Sequence, residues 1–255
     1  MRQLFLALIG LVALSACAPP PPPDPTKVAS SADLVTVFDR LAVGRGRNAN
    51  AKGRTLKWVT PISIRLQDAT SPSDRTVVRK AFDAVAAITG VPYKFAEKGQ
   101  KPNFFVRFVA QNDVYVEVAK LRGGLENTRG LPETAICYAQ PMGTININAA
   151  HILIASNMGN NVRDICVLHE IMHAFGLIGH HRIFAPSILF HKDMSRQGFS
   201  VNDKIILRTL YDVRIHAGMK SKDALPIAQE IIDDFVSRLA TAKNADDILN
   251  QPPES

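Results

Sequence analysis

The 255-residue sequence contains no internal repeat and no apolar run long enough to cross a bilayer as a helix. The first absence excludes a solenoid or array, and the second a helical membrane span. Cysteine is scarce, with three residues, so at most one disulfide can close within the chain. Acidic side chains are the minority, 23 against 30 basic ones, and the formal net charge is +7. No glutamate occurs between Glu170 and Glu230. What is present, 46% hydrophobic and 21% charged residues, is ordinary globular composition. Histidine is unevenly spread: five of the seven fall between His169 and His191.

The N-terminus reads as a targeting segment. In "MRQLFLALIGLVALSAC" one arginine precedes an apolar run of signal-peptide length that ends in Leu14-Ser15-Ala16-Cys17. That tetrapeptide resembles a bacterial lipoprotein lipobox, which implies removal of residues 1–16 and acylation of Cys17; a plain secretory signal with an incidental cysteine is the alternative. Ala18 after the cysteine is similar to outer-membrane lipoproteins of Gram-negative cells facing the periplasm. Several acyl chains on one residue hold a protein stably to a membrane. The prolines of "APPPPPDP" make residues 17–30 a stiff linker. An oxidising compartment makes a Cys137–Cys166 disulfide the expectation, with two buried thiols as the alternative. Part of the positive charge lies in "GRGRNANAKGRTLK" (44–57), read as a solvated arm; any partner it has is an anionic envelope polymer rather than nucleic acid.

Residues 31–241 then form one domain, followed by a disordered tail over 242–255. A weak helix at "ADLVTVFDRLAV" precedes a strand in "LKWVTPISIRL" (56–66), with Trp58 as core. "SPSDRTVVRKAFDAVAAITG" carries helix punctuation at both ends: Ser71 as cap, Pro72 first, Asp74 in the first turn and Gly90 as the stop. Its apolar stripe is Val78, Ala81, Val85 and Ile88. "VPYKF" and "NFFVRFVA" suit strands, "DVYVEVAKL" a helix, and "AICYAQP" and "GTININAA" two short strands joined by a tight turn. "NNVRDICVLHEIMHAFG" is a helix that an asparagine could cap, and "FAPSILFHKD" a loop. "SVNDKIILRTLYD" is a helix boxed by Ser200 and Asp203, and the last helix spans about 223–241. The order of elements predicts an α+β fold: a mixed, twisted sheet covered by helices, with a helical C-terminal part.

On the helix at 160–176, His169 and His173 lie one turn apart on one stripe, so both rings can reach a single point beside the backbone. Glu170, displaced by one residue, stays outside a first coordination shell but next to a water held there. This is the logic of H-E-x-x-H, in which two imidazoles bind zinc and the glutamate takes a proton from the water. Gly176 is placed to end the helix and turn the chain. The bland alternative is a pair of histidines bonded to backbone carbonyls.

"HEIMHAFGLIGH" resembles the zinc signature of the metzincin metallopeptidases, H-E-x-x-H-x-x-G-x-x-H, with one residue more before the final histidine. The resemblance implies a zincin-like fold over roughly 56–195, with Zn2+ held by His169, His173 and a histidine beyond the glycine, and Glu170 as the catalytic base. It also implies that "AICYAQP" is the substrate-binding edge strand and "GTININAA" the strand before the active-site helix. Gly179 occupies the family's third-ligand position, so His180 is the expected ligand, with His181, His191 and Asp193 as alternatives. Leu189 stands where the family has a methionine; the nearest methionine is Met194. Cys166 could ligate as a thiolate, although a bridge to Cys137 would staple the helix to the edge strand. Tyr211 could serve the oxyanion, against packing beneath the loop, and Asp212–Arg214 is read as a structural pair. A glutamate ligand on a later helix, as in gluzincins, is disfavoured by the gap before Glu230. The stretch from 164 to about 220 is also similar to a bacterial family of uncharacterised envelope proteins.

These readings predict a monomeric zinc endopeptidase anchored in the cell envelope that acts on peptide or protein substrates and not on nucleic acid. The alternative is a non-catalytic lipoprotein with a structural or vestigial zinc.

Overall fold

A computed structural model describes residues 23–44, 53–68, 71–191, 198–251 and 253. Cys17, Asp193 and Met194 therefore lie outside the described residues, as does most of the basic arm.

Five strands form one mixed sheet in the order β2-β1-β3-β5-β4. They are β1 (Ile62–Gln67), β2 (Tyr93–Phe95), β3 (Phe104–Val109), β4 (Cys137–Met142) and β5 (Ala149–Ala155). All neighbours run parallel except β4, which pairs antiparallel with β5 at the sheet edge, Cys137 opposite Ile154 and Met142 opposite Ala149. Parallel neighbours need crossovers. The helix α2 (Pro72–Thr89) makes one between β1 and β2, and α3 (Gln111–Arg122) lies in the connection from β3 towards β4.

Local chemistry sets α2. Ser71 and Asp74 form a capping box, Pro72 opens the first turn, and Gly90 closes the helix in the left-handed conformation (φ 72°). Val78, Ala81, Val85 and Ile88 are all buried. The other described helices are α1 (Ser31–Phe38), extended by a π-helical turn to Val43, then α4 (Asn160–Ala174), α5 (Val201–Tyr211), α6 (Ser221–Leu239) and α7 (Asp246–Leu249).

One face of the sheet packs on α2 and α4, with Ile62, Ile64, Phe104, Val106, Phe108, Ile152 and Ile154 in the main core. The opposite face, near β5, is covered by α3 through Val114 and Val118 on Leu153 and Ala155. The helix α4 runs through the centre and is buried on nearly every side, through Ile165, Val167, Ile171, Met172 and Ala174, with Phe175 buried at its end.

Several expectations change. The stretch 56–61 forms no strand; Leu56 and Trp58 are buried, and only a single bridge joins Trp58 to Ile147. "GTININAA" is mostly connection, and the strand after it is Ala149–Ala155. Its reach into "HILIA" was hidden because a strand covered on both faces shows a continuous apolar run rather than alternation. No asparagine caps α4; Gly159 holds the cap position without a side-chain bond. The tail does not begin at 242 as a disordered segment, because α7 docks with Leu249 fully buried. Part of the linker is also tied down: Val201 N–H donates to the Pro25 carbonyl (3.0 Å) and Ala29 N–H to Asn202 Oδ1 (2.9 Å). The C-terminal end of the basic arm is not solvated, since Lys57 is buried and donates to the carbonyls of Leu210 and Asp212 at the end of α5 (3.1 and 3.2 Å).

The uncapped start of α4 is held through Arg163. Its guanidinium reaches Asp74 Oδ1 at 2.9 Å, with side chains 9% and 1% exposed, so the carboxylate that boxes α2 also anchors α4. Removing one member of a buried pair strands the other charge. Arg163→Ala is expected to lower unfolding stability by about 3 kcal/mol in urea titrations. Asp164→Ala, which removes the more exposed partner of the same arginine, costs under ~1 kcal/mol.

Candidate metal centre

The site is built at the C-terminal end of α4. His169 and His173 project from successive turns, and the helix stops at Phe175. Gly176 follows at φ 101°, where a Cβ would lie 1.9 Å from the Leu56 carbonyl oxygen, so the turn requires glycine twice over. Two aromatic side chains satisfy carbonyls freed at the helix end: Trp58 Nε1–H donates to Ala174 (2.9 Å) and the Tyr211 hydroxyl to Phe175 (3.0 Å). Tyr211 is thus a buried packing residue, and its oxygen also accepts from Trp58 N–H. Gly179 lies in the same loop at φ 100°, with open space around it.

The chain returns so that the Nε2 atoms of His173 and His180 each lie 3.0 Å from that of His169. The ligand atoms of these three histidines all fall within 4.8 Å of one another. Two rings are oriented from behind: His169 Nδ1 faces the Ile188 carbonyl at 2.7 Å, and His173 Nδ1 the Leu177 carbonyl at 2.7 Å. With Nδ1–H donated to those carbonyls, each Nε2 presents its lone pair to the shared point. Lone pairs so arranged repel, and a cation relieves the repulsion. Four-coordinate zinc with bonds of about 2.0–2.1 Å would space its nitrogen ligands about 3.3 Å apart, close to what is found.

The neighbouring histidine lies outside this group. His181 pairs in extended geometry with Phe190, and successive side chains of an extended chain point to opposite sides. Its ring is 1% exposed, and its Nε2 lies 3.0 Å from Ser187 Oγ. The His191 ring centroid lies 6.0 Å from that of His180. Leu189, in place of the expected methionine, is buried beneath the loop.

Glu170 differs from the expectation of an exposed carboxylate. It is 4% exposed, and its carboxyl meets the Cys137 thiol of β4. Burial raises its pKa to about 8, which the Cys137 hydrogen bond partly opposes. The structure brings Cys137 and Cys166 together but leaves both as free thiols. The Cys137 pKa is pushed up by its hydrogen bond to Cys166, by burial and by the Glu170 charge. Cys166 is thus turned towards the edge strand and not into the histidine group. Asp212 and Arg214 form their expected pair, Oδ1 to Nε at 2.9 Å. The carbonyls of Ile188 and Leu177, which orient the rings, carry no sequence signal.

Burial also holds the imidazoles neutral: His169 and His181 titrate at about 4 and His173 well below 6.5. Groups with a folded pKa below the unfolded one take up protons on unfolding, so their contribution is lost as pH falls from about 6.5 towards 4. Glu170 runs the other way, since a carboxyl raised from 4.5 to about 8 loses stability as pH climbs across that window. Asp203, also raised by burial, opposes the imidazoles at the acidic end. Below pH 6.5 these imidazoles, together with His151, whose pKa burial also lowers, outweigh the two carboxyls, and from there to about pH 8 Glu170 dominates. Urea unfolding of metal-free protein is therefore expected to show maximal stability near pH 6.5, with limbs of about 1.4 kcal/mol per pH unit per net group. Glu170→Gln flattens the alkaline limb.

Two solved structures, titled "Crystal structure of myroilysin" and "Structure of Myroilysin", are similar to the chain at 18% and 17% identity, with TM-scores of 0.28 and 0.29. The matches cover 62% and 64% of this chain and 61% and 63% of theirs, less than two thirds of either neighbour. No curated protein matches the chain. A family model does, over residues 31–230, which is well over half of the sequence and includes the whole histidine group. The chain belongs to that family, described as "Protein of unknown function (DUF2927)".

Proposed function

We propose that this chain is a zinc-dependent metallopeptidase of zincin-like architecture, with His169, His173 and His180 as ligands and Glu170 as the proton-transferring group. The observation that carries the proposal is the convergence of three Nε2 atoms on one point beside an H-E-x-x-H helix. An all-imidazole set of three suits zinc and leaves a fourth position for water. When bound, zinc would supply Lewis acidity towards the carbonyl under attack and towards the attacking water. Glu170, ionised once a divalent ion stands beside it, would accept the water's proton and hand it to the departing amine. Its carboxyl would first leave the Cys137 thiol. The edge strand β4 has β5 on one side only among the described strands, so an extended peptide would add along its other side, beside residues 135–140.

The setting is part of the same proposal. Acylation at Cys17 would tether the domain to the outer membrane facing the periplasm, where the substrates would be peptides or proteins of the envelope and the protein a monomer. No helix among the described residues is long and apolar enough to cross a membrane. In an oxidising compartment the adjacent Cys137 and Cys166 thiols would close a disulfide.

A second reading is favoured by the buried Glu170 and by His191 beside His180: a structural zinc whose fourth position a side chain closes, in a non-catalytic lipoprotein. Purified protein is expected to carry one zinc by elemental analysis and to cleave casein or a peptide library. Glu170→Gln is expected to keep the metal and lose at least ~100-fold in kcat. His180→Ala should lose the metal, whereas His181→Ala should keep it. Equal inertness of the parent and Glu170→Gln, both loaded with zinc, would establish the structural reading instead.

A further inference from the structure

The Ile188 peptide is gripped at both ends. Its carbonyl accepts from His169 Nδ1–H at 2.7 Å, and its N–H donates to Asp203 Oδ2 at 3.0 Å. Asp203 is 4% exposed and accepts three further hydrogen bonds: Ser187 Oγ on Oδ1 at 2.5 Å, and on Oδ2 Ser200 N–H at 2.8 Å and Ser200 Oγ at 2.7 Å. Ser187 Oγ in turn accepts from Leu189 N–H (3.1 Å) and faces His181 Nε2 (3.0 Å). Residues 187–189 thus wrap around a buried carboxylate that belongs to another helix.

Capping alone does not account for this arrangement. The box that starts α5 needs Ser200 and Asp203 only, and the Asp203 N–H to Ser200 Oγ bond completes it at 3.1 Å. The bonds to Ser187 and Ile188 are additional, and they hold the segment that orients a metal-site ring.

We infer that Asp203 is the positioning residue of His169, acting through the Ile188 peptide. A carboxylate accepting the Ile188 N–H polarises that amide and makes its carbonyl a stronger acceptor, because hydrogen bonds in series reinforce one another. The stronger bond at Nδ1 fixes the ring plane and the tautomer, and leaves the lone pair on Nε2 more basic. The sequence disguises the residue as a helix cap, and His181 as a metal ligand, when both belong to the support behind the site. The orientation of His169 depends on the fold alone; the consequence for zinc rests on the proposed function.

The test uses full-length protein with Asp203→Asn, which preserves shape and removes charge, and Ser200→Ala, which weakens the same cap but leaves the Asp203–Ile188 bond. In metal-free parent and Ser200→Ala, the His169 Nδ1–H proton is expected as an exchange-protected NMR resonance; in Asp203→Asn it should broaden or vanish. Zinc affinity, read by chelator competition, should fall 10–100-fold in Asp203→Asn and stay within about twofold of the parent in Ser200→Ala. If Asp203→Asn does not fold, Asp203→Ala is read the same way, since the Asp203 N–H to Ser200 Oγ bond survives. Two results overturn the inference: an Asp203 variant matching the parent in both readouts, or Ser200→Ala weakening zinc as much as Asp203→Asn. A parent that binds no zinc, with the His169 resonance still lost in Asp203→Asn, upholds the positioning role and removes the metallopeptidase reading.

Discussion

Imidazole lone pairs aimed at one point repel one another, and a protein holds them there by controlling the rings from behind, as it does for two of the three here. In this chain the control is backbone: the Ile188 carbonyl takes the Nδ1–H of His169 and the Leu177 carbonyl that of His173. Both carbonyls lie on the return path of the chain after Gly176, so everything rests on α4 ending where it does. That ending is enforced sterically by the Leu56 carbonyl, which leaves no room for a Cβ. It is stabilised by Trp58 and Tyr211, which bond the last carbonyls of the helix. Leu56 and Trp58, just before β1, are therefore part of the wall against which the histidine loop turns.

The same helix carries the polar burden of the core. At its start Arg163 answers Asp74, and on the side facing β4 Glu170, Cys137 and Cys166 form a cluster with no cation among its described contacts. A carboxyl there stays neutral to about pH 8, which ties its chemistry to whatever next enters the cleft. A divalent ion beside it would favour the ionised form, so metal binding and the charge state of Glu170 are linked. The thiols bear on the same group, because the Cys137 hydrogen bond lowers its pKa against burial.

Much of the fold was legible because the determinants are local. The ends of α2 follow from Ser71, Pro72, Asp74 and Gly90, and the start of α5 from Ser200 and Asp203. Failures came where packing overrides the local pattern. The strand β5 lies between β3 and β4 with helices over both faces, so "HILIA" lacked the alternation that marks a half-buried strand. The helix α4 starts on Gly159 because its first turn is secured by an ion pair to α2, far away in sequence. The short α7 is held by burial of Leu249, which no helix propensity over four residues would predict.

For the candidate site, the sequence alone determined that His169 and His173 share a face, since a spacing of four is nearly one helical turn whatever surrounds it. It also placed a helix stop at Gly176. The choice between His180 and His181 was beyond it, because adjacent residues of an extended segment point to opposite sides, and which side faces His169 and His173 depends on Ser187, itself held by Asp203, claiming the His181 ring. Equally, only tertiary packing decided that the Glu170 carboxyl meets a thiol on β4 rather than open solvent. Spacing along a helix is a property of the backbone, whereas the environment of a side chain belongs to elements that are distant in sequence.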